Sequence, residues 1–201
     1  MDFFTKTEKD ILLAADQVVV GFSGGPDSTL ALHETLHLLN EFNSANKLKA
    51  LHINHQVQSK SDAWEEHCKS FCTDKNIDLQ IEKIEIEVKG EGFEAAARKA
   101  RLSLFNSFNE NTVLILGHHL DDQIETVLFR IFRGTGMKGL SGIKRQSKLG
   151  SKIVLRPLFN LTKEEIMELL KKENLNYITD DSNQDNSFSR NYLRNSVIPK
   201  I

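Results

Sequence analysis

Two short stretches of this chain carry side chains at spacings that suit chemistry on a phosphate and on a cation. The first is Ser23-Gly24-Gly25-Pro26-Asp27-Ser28, with two hydroxyls, a carboxylate and two glycines that let the backbone turn sharply and approach a ligand. Pro26 suits the first turn of a helix, where its missing N–H costs nothing. The N–H groups of Ser23 to Ser28 would then converge at a helix N-terminus, where the helix dipole favours a phosphate. The plain alternative is an ordinary strand-to-helix turn, with Ser23 capping the helix and Asp27 complementing its dipole. The stretch fits neither the G-x-x-x-x-G-K-S/T loop nor the dinucleotide G-x-G-x-x-G pattern.

The second stretch is His118-His119-Leu120-Asp121-Asp122-Gln123-Ile124-Glu125. If a helix starts near His118, then His118, Asp122 and Glu125 share one face at three- and four-residue spacing. Adjacent carboxylates suit Mg²⁺ or an ammonium group, although acids in a first helical turn also serve the dipole alone. A zinc site is the weaker reading, because the H-E-x-x-H spacing is absent and the cysteines lie elsewhere.

Three basic groups are less specific. Glu94, Arg98 and Arg101 read either as helix-stabilising pairs or as arginines that anchor a carboxylate or phosphate. Arg130, Arg133, Lys138, Lys144, Arg145 and Lys148 bring positive charge to a glycine-rich stretch, as solvated surface or as a clamp on RNA phosphates. Arg190-Asn191-Tyr192-Leu193-Arg194 adds an aromatic ring able to stack on a base.

These residues need a scaffold that gathers them. Continuous apolar runs at Val18 to Phe22 and Thr112 to Gly117 read as strands buried on both faces. Further strands are expected at Lys49 to Asn54, Leu79 to Val88 and Lys152 to Leu155, with helical patterns between them. The expectation is an α/β fold with a doubly wound, mainly parallel five-stranded sheet and helices on both faces. Ser23, His52, His118 and Arg156 follow directly on strand ends, where such sheets bind ligands, so they are expected to cluster. Residues 134–150 hold five glycines and read as a loop or lid. Thr162-Lys163-Glu164-Glu165 is a capping signature for a last helix.

With 201 residues, 39% hydrophobic and 27% charged, the chain has the composition of one soluble domain. A formal charge of −2 argues against a protein that coats nucleic acid non-specifically, without excluding a local basic patch. No apolar stretch approaches a membrane span and no leader pattern is seen, so a cytoplasmic protein is expected. Cys68 and Cys72 sit four apart and form neither a disulfide framework nor a C-x-x-C pair.

The hexapeptide at Ser23 resembles the S-G-G-x-D-S pyrophosphate loop of the ATP pyrophosphatases, which cleave ATP between its α and β phosphates. His118 to Thr126, Arg133-Gly134-Thr135-Gly136, Gly139-Leu140, Arg156-Pro157-Leu158, Asp181-Ser182-Asn183 and Arg190-Asn191-x-x-Arg194 resemble, in order, segments of the tRNA(Ile)-lysidine synthase family. Gly117 stands where that family usually has Ala, read from sequence as a trivial change. Gln56-Val57-Gln58 replaces its Gly-Leu-Arg/Ser. The resemblance implies an adenine nucleotide alpha hydrolase-like fold, with residues 1–201 as the catalytic domain and 180–201 opening a C-terminal extension toward absent tRNA-binding domains.

It implies adenylation of the wobble cytidine of tRNA(Ile), with its CAU anticodon, and displacement of AMP by free L-lysine. ATP and Mg²⁺ are the implied cofactors, and a homodimer is a further candidate arrangement. ATP would be held by Ser23, Gly24, Gly25, Pro26, Asp27, Ser28 and His52, with Mg²⁺ on Asp27. Asp122, Glu125 and His118 would take lysine, and Arg98 its carboxylate or an anticodon phosphate. Asp27, His118, Asp122, Glu125 and Arg98 are thus the expected catalytic set. Arg133, Lys138, Arg145, Arg190 and Arg194 would contact tRNA. The alternatives are a tRNA thiolase of the same superfamily and a non-catalytic ATP- or RNA-binding module.

Overall fold

The computed structural model describes residues 2–54, 61–84, 93–136, 139–179 and 192–198, along which strands and helices alternate. Helix α1 (Lys6–Ala14) leads into β1 (Gln17–Gly21), α2 (Pro26–Glu41), β2 (Leu48–Asn54), α3 (Ser61–Asp74) and β3 (Asp78–Lys83). Helix α4 (Phe93–Ser107), β4 (Thr112–Ile115), α5 (Leu120–Phe132), β5 (Gln146–Leu149), β6 (Lys152–Leu155) and α6 (Lys163–Lys172) follow. Helices α1 and α6 each begin at a reciprocal cap. Thr162 Oγ1 accepts from the Glu165 N–H at 3.2 Å while Glu165 Oε2 accepts from the Thr162 N–H at 2.7 Å.

The sheet runs β3-β2-β1-β4-β6-β5, with every pair parallel except the last. The five expected strands are thus joined by a sixth, because β5 lies inside the stretch expected to be all loop. Gly150-Ser151 is the two-residue turn that folds β5 back on β6, and Gly150 has a φ of +60°, which a glycine adopts without strain. That Gly-Ser pair, flanked by short strand-like runs, is the signal the sequence offered. Strand β3 ends at Lys83, and residues 85–92 lie outside the described part.

Strand β1 is apolar from Val18 to Val20 because both of its faces are covered there. Val18, Val20 and Phe22 pack with Leu30 and Leu39 of α2, Phe71 of α3 and Leu170 of α6. Val19 points the other way, into Leu51, Leu114, Val154 and Phe105 of α4. Each of these fully buried side chains contributes roughly 1.5–3 kcal/mol of hydrophobic stabilisation. The strand order reverses at β1, with β2 and β3 to one side and β4 and β6 to the other. A crevice must therefore open beyond the carboxyl ends of β1 and β4. Among the described residues no helix is long and apolar enough to cross a membrane.

Candidate phosphate and cation site

At the end of β1 the ladder continues one step, with the Phe22 N–H donating to Leu51 O at 2.8 Å. The chain then turns through Gly24, whose φ of +82° lies in the left-handed region and whose absent Cβ would stand 3.1 Å from Cys68 Sγ. Gly25, not Ser23, takes the N-cap of α2, and Pro26 occupies its first turn. Ser23 Oγ instead accepts the Gly25 N–H at 3.3 Å, and Ser28 Oγ accepts the Ser23 N–H at 3.1 Å. The Ser28 hydroxyl donates to Gly25 O at 3.0 Å. The loop is thus shaped largely by its own residues, with the Ile178 N–H donating to Gly24 O at 2.8 Å from outside. It leaves the first amides of α2 at the crevice without intrahelical partners.

Gly117 closes this corner from the β4 side. A Cβ there would lie 2.9 Å from the carbonyl carbon and oxygen of Asp27 and 3.1 Å from Ser28 N. The expectation that Gly in place of Ala is trivial therefore fails here, because the link after β4 crosses directly over the first turn of α2.

The crevice has a volume of about 440 Å³. Ser23, Asp27 and Ser28 face it from the loop, His52 from β2, His118 and Asp122 from the β4–α5 side, and Trp64, Arg101 and Phe105 from α3 and α4. Ser23, His52 and His118, expected to cluster, line it together, and Arg156 joins them through a bond to His118. His52 is buried and its Nδ1 lies 3.0 Å from Phe22 O, so that nitrogen carries the proton and donates. Burial holds its pKa below the ordinary value, with the Phe22 bond and Glu65 opposing.

Helix α5 starts at Leu120, two residues later than the shared-face reading assumed, with His119 at its N-cap. Asp122 Oδ2 accepts the His119 N–H at 3.0 Å. His118 lies in the extended link, and Arg156 Nε donates to its Nδ1 at 3.3 Å. Burial, assisted by the positive charge of Arg156 and Arg101, outweighs Asp122 and pulls the His118 pKa down to about 4. At neutral pH this imidazole is uncharged with its proton on Nε2, a hydrogen-bond donor and a poor base.

Three carboxylates surround buried His119, and a fourth, Glu125, lies one turn along α5. Its Nδ1 lies 3.3 Å from Asp121 Oδ2, and its Nε2 lies 3.6 Å from Asp122 Oδ2 and 3.7 Å from Asp27 Oδ1. Glu125, the fourth, is buried and gripped by both arms of the Arg194 guanidinium, with Nη2 to Oε2 at 3.1 Å. The same Nη2 lies 3.9 Å from Asp122 Oδ1. Lys163 reaches in from α6, with Nζ donating to Asp27 Oδ1 at 2.6 Å, while its backbone N–H donates to Asp121 Oδ2 at 2.7 Å.

The other expected residues fall elsewhere. Arg133 is exposed, with its guanidinium carbon 4.9 Å from the centre of the Phe129 ring. Arg145, expected to face RNA, turns inward. It donates to both Glu8 carboxylate oxygens at 2.8 and 2.9 Å and to Phe3 O at 2.7 Å. Arg194 points at carboxylates rather than outward. The Arg98 side chain, Lys138, Arg190, Asn191 and Asp181-Ser182-Asn183 lie outside the described residues. Gln123, for which no role was expected, and Arg130, expected as part of the basic cluster, pin the glycine-rich segment. Gln123 Oε1 accepts the Ile143 N–H, and Arg130 Nη1 donates to Gly139 O at 2.8 Å and Gly142 O at 3.1 Å.

Among the described residues no group of three or more His, Cys, Asp or Glu side chains is set to cage a metal. Mg²⁺ needs no such cage, since one or two carboxylates plus substrate phosphates suffice, and Asp27 beside the loop fits that mode.

A parallel sheet with its crevice at the switch point and a serine-glycine loop on a helix N-terminus defines a nucleotide-binding class. A family model described as PP-loop domain matches residues 3–201, and the chain belongs to that family. Among curated proteins it is 41% identical over 190 residues to the tRNA(Ile)-lysidine synthase of Pseudomonas fluorescens, covering 94% of this chain and 42% of that protein. It is 42% identical over 186 residues to the synthase of Legionella pneumophila (92% and 42% covered). With that of Haemophilus influenzae the figure is 37% over 205 residues (100% and 47%). The chain spans less than half the length of these relatives.

Among solved structures, the U34-tRNA thiolase NcsA of Methanococcus maripaludis matches with a TM-score of 0.59 at 19% identity, covering 92% of this chain and 71% of that one. Candida glabrata FMN adenylyltransferase matches at 0.50 and 16%, covering 81% and 54%. These two likenesses concern the fold alone.

Proposed function

We propose that the chain is the catalytic domain of a tRNA(Ile)-lysidine synthase. The observation that carries this reading is the joint facing of one crevice by the Ser23–Ser28 loop and the His118–Asp122 corner. In the reaction, the C2 oxygen of the wobble cytidine attacks the α-phosphate of ATP and pyrophosphate leaves. The ε-amine of free L-lysine then attacks C2, and AMP departs with the oxygen.

The loop amides and hydroxyls would hold the phosphates through pre-set donors at the α2 N-terminus. Mg²⁺ on Asp27 would offset charge developing on the phosphates. Asp122, with Glu125 behind it, gives the lysine ammonium a negative seat. The proton that the ammonium must lose goes to a carboxylate or water rather than to His118, whose role is to donate from Nε2. Arg98 on α4 is the proposed partner of the lysine carboxylate or an anticodon phosphate. Exposed Arg133, Lys144 and Lys148 are the proposed RNA contacts among the described residues, with Lys138 and Arg190 as further candidates. Arg145 and Arg194 are better explained as ion-pair partners of Glu8 and Glu125.

A thiolase reading is disfavoured by the cysteines. The chain has two, both buried, and burial pushes each thiol up to about 12. Sulfur transfer or an iron–sulfur cluster needs accessible thiolates.

The test is incorporation of labelled lysine into tRNA(Ile) transcript with ATP, against a transcript whose wobble cytidine is uridine. One lysine and one pyrophosphate per cytidine transcript are expected, with a loss of roughly 100-fold or more in Asp27→Ala. Pyrophosphate release independent of lysine and tRNA(Ile) would sink the proposal.

A further inference from the structure

The proposed reaction leaves one feature beside the crevice without a task. Lys163 sits at the first turn of α6, and its ammonium meets Asp27 at the mouth of the phosphate loop. An ion pair whose side chains are 41% and 31% exposed adds little to stability, because water competes for both partners. The root of this lysine is nevertheless tightly set. Its N–H donates to Asp121, the preceding Thr162 and Glu165 cap each other, and the Leu120 N–H donates to Leu161 O at 2.8 Å. Backbone is thus fixed on two sides to aim one flexible, half-exposed cation at Asp27.

We infer that Lys163 binds the β- and γ-phosphates of the nucleotide, its ammonium bridging from Asp27 to the phosphate chain. This rests on the reading that ATP occupies the crevice. Asp27 is the second residue of α2, so an anion seated on the loop amides lies beside the carboxylate Lys163 already holds. An ammonium has three donors, and the Asp27 bond uses one. The corner is rich in carboxylates, with Asp27, Asp121 and Asp122 drawn around His119, and Arg194 is spent on Glu125 and Asp122. A polyphosphate brought against Asp27 requires positive charge on that side. Lys163 supplies it as a compact point charge, the way a lysine serves a phosphate.

The experiment is equilibrium binding of α,β-methylene ATP and of AMP, in the presence of Mg²⁺, to the wild type, Lys163→Ala and Lys163→Arg. The expected result for Lys163→Ala is a loss of about tenfold or more for the triphosphate, with AMP within about twofold, and recovery of most of the affinity in Lys163→Arg. The same comparison in an Asp27→Asn background separates binding from charge balance. If Lys163 touches phosphate, removing it still weakens the triphosphate there. Equal losses for both nucleotides, or no loss in the Asp27→Asn background, overturn the inference while the nucleotide reading stands. A wild type that binds neither nucleotide overturns both.

Discussion

The two halves of the crevice differ in how far their shape rests on neighbours in the chain. The loop after β1 is closed by bonds between Ser23, Gly25 and Ser28, residues no more than five apart. The corner before α5 is assembled from remote parts of the chain. Lys163 comes from 42 residues beyond Asp121, Arg194 from 69 beyond Glu125 and Arg156 from 38 beyond His118. The loop's turn is set by near neighbours, with Ile178 bracing Gly24 O from outside. A corner held by cross-chain ion pairs depends on the whole fold and can be retuned by one distant residue.

The largest expected effect separates these halves at Glu125. Glu125→Ala removes a buried carboxylate and leaves the Arg194 guanidinium facing Asp122 alone. Unfolding free energy in urea should fall by about 2–3 kcal/mol, and lysine incorporation by about 100-fold or more, while triphosphate binding is kept. A parallel drop in nucleotide affinity would mean the halves are one unit.

Gly117→Ala probes the other side. Its Cβ would press on the Asp27 carbonyl, so the loop must shift, at a cost of about 1–2 kcal/mol and roughly tenfold in triphosphate affinity. Unchanged affinity would show that the link after β4 yields freely.

The last effect is one of pH and is read in stability alone. His118 titrates near 4 in the folded chain, below the ordinary 6.5, so the unfolded chain binds this proton more readily. Its contribution is complete above about pH 6.5 and drains as pH falls toward 4, on the order of 2 kcal/mol after discounting for the open side of the crevice. His118→Gln should flatten that part of the stability profile between pH 7 and 5. Identical slopes would remove His118 from the account.

The same contrast explains what could be read from the residues alone. Val18 to Phe22 announces a doubly covered strand, and Ser23 to Ser28 announces its turn, because both signals are contiguous. His118, Asp122 and Glu125 are recognisable as a chemical set, yet their partners are not, since no local spacing links Glu125 to Arg194 or Asp27 to Lys163. Lys163 stood in plain view within a capping signature that fully accounted for Thr162 and Glu165. Arg145 misled for the complementary reason. Its charge fitted a basic cluster, but Glu8, 137 residues away, claims it. The hairpin of β5 and β6 was legible in Gly150-Ser151 and was masked by the count of glycines around it.

The span between Asp27 and Lys163 also has a meaning in time. At about 5–20 residues per second, a ribosome delivers Lys163 roughly 7–27 seconds after Asp27. Through that interval Asp27, and later Asp121, Asp122 and Glu125, exist without the cations that end beside them. The ion pairs therefore cannot guide the early collapse, which falls to the apolar strands. The corner before α5 is finished late, on a sheet that β6 has already widened.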